Sequence, residues 1–148
     1  MQVRELGHIV LYVRDIERSR RFYGDLLGWK EIGEAFGGRA VAFSSGRTHH
    51  ELLLIEVGPG ANPHPPHPRI GLYHFGLKVG DSDEELRAAL DELVASGVRI
   101  TGMSDHGVTH SIYIEDPDGN EIELYVDVDD VWKNDPAAVL QPIKPLRL

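Results

Sequence analysis

The sequence predicts an α+β fold in which two tandem βαβββ modules form a curved mixed sheet around a cup. Three observations predict this fold: segments whose polarity alternates as it does in strands, two helical segments with capping residues, and a repeat of the whole pattern. The two copies are in register, because His8 and Asp15 correspond with the same offset to His74 and Asp81. We therefore expect one domain with four parts: module one at 5–58, a linker at 59–71, module two at 72–127 and a C-terminal arm at 128–148.

Module one begins with a strand over Gly7–Val13, in which Ile9, Leu11 and Val13 occupy alternate positions. Asp15 is placed to cap the helix that follows, and Gly28 is placed to end it. Three further strands are expected at Trp29–Gly33, Ala40–Ser45 and His50–Val57. The next segment is too rich in proline and glycine for regular structure, which makes it a linker.

Module two restarts with a strand over Tyr73–Val79. Ser82 and Glu85 form a capping box at the start of its helix, and Gly97 ends that helix. Later strands are expected at Val98–Thr101, Ser111–Glu115 and Glu121–Val126, with a turn at Asp116-Pro-Asp-Gly119. The arm from Asp127 to Leu148 is predicted to be irregular, and it lies over this chain or over a partner chain.

Composition excludes several classes of function. The chain carries 24 Asp and Glu against 15 Lys and Arg, a net charge of −9, which argues against nucleic acid as the main partner. It has no cysteine, so disulfides, thiolate catalysis and thiolate metal sites are absent. No apolar run approaches the roughly 20 residues of a membrane helix, and the N-terminus does not resemble a signal peptide. We expect a cytoplasmic protein.

Three side chains that can bind a metal ion are predicted to share one face of the sheet. Helices should cover the other face, and the alternate apolar residues of the first and last strands turn toward them. By alternation, His8, His74 and Glu123 point away from the helices. Two imidazoles and one carboxylate form the facial triad of non-haem Fe(II) oxygenases and leave coordination positions open. The cup is therefore predicted to hold a catalytic metal ion.

The fourth strand of module one is apolar on both faces, so its orientation stays open. If Leu53, Ile55 and Val57 face the helix, His50 joins the three ligands and His49 points the other way. Leu52 and Leu54 are then expected to line the cavity, where they favour an aromatic or apolar guest.

Three segments carry a family resemblance: LGHIVLYVRDIERSRRFYGDLLGW, GLYHFGLKV and DPDGNEIELYV. They resemble the vicinal oxygen chelate superfamily, which includes glyoxalase I, type I extradiol dioxygenases, and fosfomycin and bleomycin resistance proteins. The segment RTHHELLL at Arg47–Leu54 is similar to the extradiol dioxygenases in particular.

The resemblance implies a metal-dependent extradiol dioxygenase, which cleaves the ring of a catechol-like substrate with dioxygen. The residues it implicates are His8, His74 and Glu123 as metal ligands, His50 as acid and base, and His106 and Tyr113 as further active-site residues. The implied cofactor is Fe(II), and the same ligands suit Mn(II). The implied partners are a small aromatic substrate and dioxygen, in a homodimer that binds neither nucleic acid nor a membrane.

Two other functions stay open. A glyoxalase-like or epimerase-like lyase or isomerase with Ni or Zn needs a second metal-binding glutamate, where this sequence has Leu52 or Leu54, and Glu56 lies further along the strand. A metal-free binding or resistance protein would use the same cup to hold a small molecule, but it has no need of the three ligands.

Overall fold

The computed structural model describes all residues from 1 to 148, and the chain divides into two units, Met1–His64 and Pro65–Leu148. The boundary lies inside the proline-rich segment. Each unit contains its own mixed sheet and one main helical segment, in the order βαβββ. The predicted α+β class and the internal repeat are therefore confirmed. None of the helices is both long enough and apolar enough to span a lipid bilayer.

Unit 1 is a four-stranded sheet with the strand order β1-β4-β3-β2, in which β1 and β4 run parallel. Its elements are β1 (Ile9–Val13), α1 (Ile16–Arg20) with a π-helical continuation (Arg21–Leu26), β2 (Lys30–Ala35), β3 (Ala40–Ser44) and β4 (Leu52–Glu56). Asp15 caps α1 as predicted, because its carboxylate accepts a hydrogen bond of 2.9 Å from Arg18 N. Gly28 follows the helical segment with a positive φ of 68°, a conformation that favours glycine.

Unit 2 is a five-stranded sheet with the order β5-β8-β7-β6-β9, in which β5 and β8 run parallel. Its elements are β5 (His74–Gly80), α2 (Asp83–Ala95), β6 (Ile100–Asp105), β7 (Thr109–Glu115), β8 (Glu121–Asp127), two 3-10 segments (Val131–Lys133 and Pro136–Leu140) and β9 (Lys144–Pro145). Half of the predicted capping box forms: Ser82 Oγ accepts from Glu85 N, but the Glu85 carboxylate accepts from Asp81 N, one residue before the N-cap, instead of from Ser82 N.

Apolar residues on alternate strand positions pack under the helices. In unit 2 Ile122, Leu124 and Val126 are almost completely buried, and Leu86 and Leu93 of α2 are buried as well. Val94 of α2 is 62% exposed and lies outside this buried face. Burying these aliphatic side chains is the main source of stability, at roughly 25 cal/mol for each Å² of apolar surface.

The arm returns to its own unit. Its last strand, β9, pairs with the outer strand β6 at Ser104 and Asp105. Between β8 and β9 the chain forms the two 3-10 segments, and Ala138 in the second of them is buried. Of the two placements that the sequence left open, the arm takes the one on this chain.

Candidate functional site

One face of the unit 2 sheet is polar, and β8 supplies its central side chains. Glu121, Glu123 and Tyr125 alternate along β8 with the three apolar residues that face α2. The neighbouring strands add His74 from β5 and Tyr113 from β7, because His74 pairs with Glu121 and Tyr113 pairs with Glu123. Alternation therefore predicted correctly that His74 and Glu123 lie on the face away from the helix.

His74 and Glu123 are in direct contact. His74 Nε2 lies 3.2 Å from Glu123 Oε2, and both side chains are partly buried. Two ligand atoms bound side by side to one metal ion, each about 2.1 Å from it, lie about 3 Å apart. An imidazole nitrogen and a carboxylate oxygen at this separation have the chemistry and the spacing of two ligands to one metal ion.

Gly76 leaves room for this pair. It lies opposite Glu123 in the parallel pairing of β5 with β8. A Cβ atom at Gly76 would lie 3.3 Å from Tyr125 Cε1 and 3.9 Å from Glu123 Oε2, so a side chain there would press on the Tyr125 ring.

Hydroxyl groups from β7 fix the second oxygen of Glu123. Ser111 Oγ donates to Glu123 Oε1 at 2.7 Å, and Tyr113 OH donates to the same oxygen at 3.1 Å. His106 Nε2 lies 2.8 Å from Tyr113 OH. Burial, and then the negative charge of Glu123, raises the pKa of Tyr113, so this hydroxyl keeps its proton at neutral pH. The structure thus brings His106 and Tyr113 together with His74 and Glu123.

Glu121 faces the other side of the His74 ring. Its Oε1 atom lies 3.5 Å from His74 Nδ1, and both atoms are buried without a hydrogen-bond partner. Glu121 also lies against Tyr73, since its charge raises the pKa of the Tyr73 hydroxyl. A carboxylate beside the second nitrogen of a histidine fixes the tautomer that leaves Nε2 free to bind a metal.

In unit 1 three histidines come together. The ring centroids of His8 and His50 are 4.4 Å apart, those of His49 and His50 are 4.5 Å apart, and His49 Nδ1 lies 2.6 Å from His50 Nδ1. Burial, and then the charges of His8 and His49, lower the pKa of His50, so the neutral base is favoured near pH 7. His49 was predicted to point away from His50. That prediction was wrong, because both residues precede β4 and do not follow the alternation of a strand.

The orientation of β4, which the sequence left open, is the opposite of the one that would place Leu52 and Leu54 in the cavity. Leu52 and Leu54 are buried on the side of α1, since they pair with Ile9 and Leu11 of β1, so they do not line a cavity on the polar face. Glu56 shares their side, and its Oε2 atom accepts a hydrogen bond of 2.9 Å from Ile16 N at the start of α1. This carboxylate is engaged in capping a helix.

A cavity of about 470 Å³ lies on the polar face of unit 2, beneath the C-terminal arm. Its walls come from the loop between β6 and β7, from β7 and β8, and from the arm. They are His106, Val108, Thr109, Glu123, Tyr125, Asp127, Trp132, Pro136 and Val139. Its volume lies within the range of small-molecule pockets, which is roughly 300–1,000 Å³.

Sequence reasoning did not find several of these residues. Ser111 and Glu121 reach the site only through the register of β7, β8 and β5, which the sequence did not specify. The arm residues gave no periodic signal. Glu121 could have been found from its position two residues before Glu123, because alternate residues of a strand share a face.

The family comparison agrees with this fold. Residues 5–124 match the model of the Glyoxalase/Bleomycin resistance protein/Dioxygenase superfamily. The chain belongs to this superfamily.

Similar proteins in the superfamily carry different names. Catechol-2,3-dioxygenase of Bacillus subtilis is 35% identical over 82% of this chain, and the chain spans only 41% of that protein's length. A probable lactoylglutathione lyase of Synechocystis is 30% identical over 80% of this chain and 92% of the lyase. A crystal structure of a glyoxalase/dioxygenase from Nostoc punctiforme superposes with a TM-score of 0.72 at 25% identity, over 85% of this chain and 92% of the other.

The superfamily generally binds a divalent metal ion, and the donor set of unit 2 fits one. His74 Nε2 and Glu123 Oε2 supply two adjacent ligand atoms, and Glu121 supports the histidine. No group of three or more His, Asp or Glu side chains is arranged to hold a metal ion. The third predicted ligand, His8, belongs to unit 1.

Proposed function

We propose that this chain is a metal-dependent extradiol dioxygenase that cleaves the ring of a catechol-like substrate with dioxygen. The observation that carries the proposal is the set of proton-handling groups around Glu123, in which Tyr113 and His106 form a hydrogen-bonded chain that ends at the carboxylate. The similarity to a catechol-2,3-dioxygenase supports the same reaction class.

The proposed metal ligands are His8, His74 and Glu123. An Fe(II) ion held by them would supply positive charge that favours ionisation of the diol, and electrons for reaction with dioxygen. Mn(II) suits the same ligands. Both oxygen atoms of dioxygen enter the product as a ring carbon–carbon bond next to the diol breaks, so no external reductant is consumed.

His50 is proposed to accept a proton from the diol and to return it when the ring opens. Its lowered pKa keeps it neutral before substrate binds, as a general base requires. Tyr113 keeps its proton and is proposed to shift its hydrogen bond from Glu123 to the substrate or to dioxygen, while His106 stays within hydrogen-bond distance of the Tyr113 hydroxyl. The homodimer and the cytoplasmic location remain predictions.

A glyoxalase-like lyase is the second candidate, because a probable lactoylglutathione lyase is among the similar proteins. It requires a second metal-binding carboxylate. Glu56 is occupied at the start of α1, and Leu53 stands at the repeat position that corresponds to Glu123. These two observations favour the dioxygenase.

Oxygen uptake tests the proposal. Protein purified without oxygen or chelator and loaded with Fe(II) is exposed to catechol and air, and oxygen consumption is recorded together with the yellow ring-cleavage product. We expect one dioxygen consumed per catechol cleaved. Protein that carries Ni or Zn and consumes no oxygen after iron loading would contradict the proposal and support the lyase.

A further inference from the structure

The cavity beneath the arm has a composition that selects its ligand. Trp132, Pro136 and Val139 come from the arm, and together with Tyr125 and Val108 they form apolar walls. Glu123 and His106 lie on the same cavity. A ligand with its polar end at Glu123 would therefore extend its remaining surface toward the apolar residues of the arm.

The negative charge of the cavity wall disfavours anionic ligands. The cavity is lined by two carboxylates, Glu123 and Asp127, and by no lysine or arginine. Lys78 is the cation paired with Asp127, at 2.7 Å, and it also contacts Asp81. An anionic group on the ligand would meet negative charge with no cation on the wall to balance it, at a cost in binding.

We propose that the C-terminal arm is the specificity wall of the site, and that it selects catechols bearing an uncharged apolar substituent, such as a phenyl ring, over plain or carboxylated catechols. This inference rests on the proposed dioxygenase function for the diol, and it adds the chemistry of the substituent. Trp132 is the principal contact, because its indole offers the largest apolar surface in the arm, and it is 37% exposed and so accessible to a ligand.

Tryptophan fluorescence reports on this wall directly. The chain has two tryptophans, and Trp29 follows the helical segment of unit 1 and is not among the cavity residues. We would titrate the metal-loaded protein without oxygen, so that no turnover occurs, with 3-phenylcatechol, catechol and 3,4-dihydroxybenzoate. Excitation near 295 nm selects tryptophan over tyrosine, and the emission is corrected for absorption by each ligand.

We expect 3-phenylcatechol to quench the emission of the wild type and of Trp29→Phe to the same extent. The emission of Trp132→Phe should not change. We expect 3-phenylcatechol to bind about tenfold or more tightly than catechol, as burial of an additional apolar ring requires. Trp132→Ala should remove that advantage and leave catechol affinity within about twofold, and Val139→Ala should reduce it by a smaller factor. Leu140→Ala is the matched control, since Leu140 lies in the arm, is 81% exposed and does not line the cavity.

Equal affinity for the phenyl-substituted and carboxylated ligands would overturn the inference, and so would a Trp132→Ala variant that weakens catechol and 3-phenylcatechol by the same factor. Binding is measured without oxygen, so it is separate from turnover. Selective binding without later oxygen uptake would refute the proposed reaction and keep the arm as the specificity wall. Oxygen uptake without selective binding would support the proposed reaction and refute the arm as the specificity wall.

Discussion

The parallel strand pair of each unit lies at one edge of its sheet, and the two pairs have the same register and present different chemistry. In unit 1 Val10 of β1 pairs with Leu53 of β4, and in unit 2 the corresponding Gly76 of β5 pairs with Glu123 of β8. A leucine thus stands in one copy where the other copy has its central carboxylate. From the sequence, Leu52 or Leu54 was expected at this position. The strand register places Leu53 there instead, so the residue is a leucine in either case.

The side chains around these two positions also differ in chemical type. In unit 1 the candidate groups are the imidazoles of His8, His49 and His50, and the nearby Glu51 is held by Ser45 through two hydrogen bonds. In unit 2 a carboxylate is fixed by Ser111 and Tyr113. Unit 1 therefore presents imidazoles near this position, and unit 2 presents a carboxylate held by two hydroxyl groups.

The largest effect is expected from Glu123→Gln, which would make unit 2 as uncharged at this position as unit 1. We expect metal content to fall close to zero and oxygen uptake to be lost by more than the roughly 100-fold that removal of a supporting residue costs. Metal analysis of the purified variant checks this. Glu84→Gln is the control, because Glu84 is an exposed residue in the first turn of α2. Full metal content in Glu123→Gln would show that the carboxylate is not a ligand.

His50→Ala tests the base supplied by unit 1. We expect kcat to fall by roughly 10²- to 10⁴-fold, as loss of a general base does, while metal content is retained. His49→Ala is the matched variant and should lose less, since His49 contacts His50 and is more exposed. Steady-state oxygen uptake of both variants is the measurement. Equal losses of kcat in the two variants would show that His50 is not the general base.

Glu121→Ala and Glu51→Ala compare repeat-equivalent glutamates. Glu121 lies 3.5 Å from His74 Nδ1, whereas Glu51 accepts hydrogen bonds from Ser45. We expect Glu121→Ala to weaken metal affinity about 10- to 100-fold in a chelator competition, because it supports a ligand. Glu51→Ala should lower Tm and leave metal affinity within about twofold. Unchanged affinity in Glu121→Ala would remove its positioning role.

The smallest effect concerns the stability of unit 1 in acid. Hydrogen bonds from Arg20 lower the pKa of Glu31, which joins α1 to β2. A folded-state pKa below the ordinary value means that this stabilisation is present above the ordinary glutamate pKa and is lost as pH falls through the lowered value. Glu31→Gln should therefore lower Tm by a few degrees at most at pH 7, and the difference should shrink in acid. A Tm difference that grows in acid would have the wrong sign.

Strands with clear alternation could be predicted in detail, and strands without it could not. In β8, polar residues alternate with Ile122, Leu124 and Val126, so the face of Glu123 followed from the sequence. In β4, four successive apolar residues give no such signal, and the orientation is set by pairing with β1. The contact of Ser111 with Glu123 and the return of Trp132 to the cavity depend on strand register and irregular chain, which local pattern does not encode.

The most direct test of the central claim is the metal content of anaerobically purified wild type, His8→Ala and Glu123→Gln. If His8 and Glu123 both bind the metal ion, as proposed, the wild type will carry close to one iron or manganese per chain and both variants will carry almost none. Full occupancy in His8→Ala, with loss only in Glu123→Gln, would contradict the claim and place the metal in unit 2 alone.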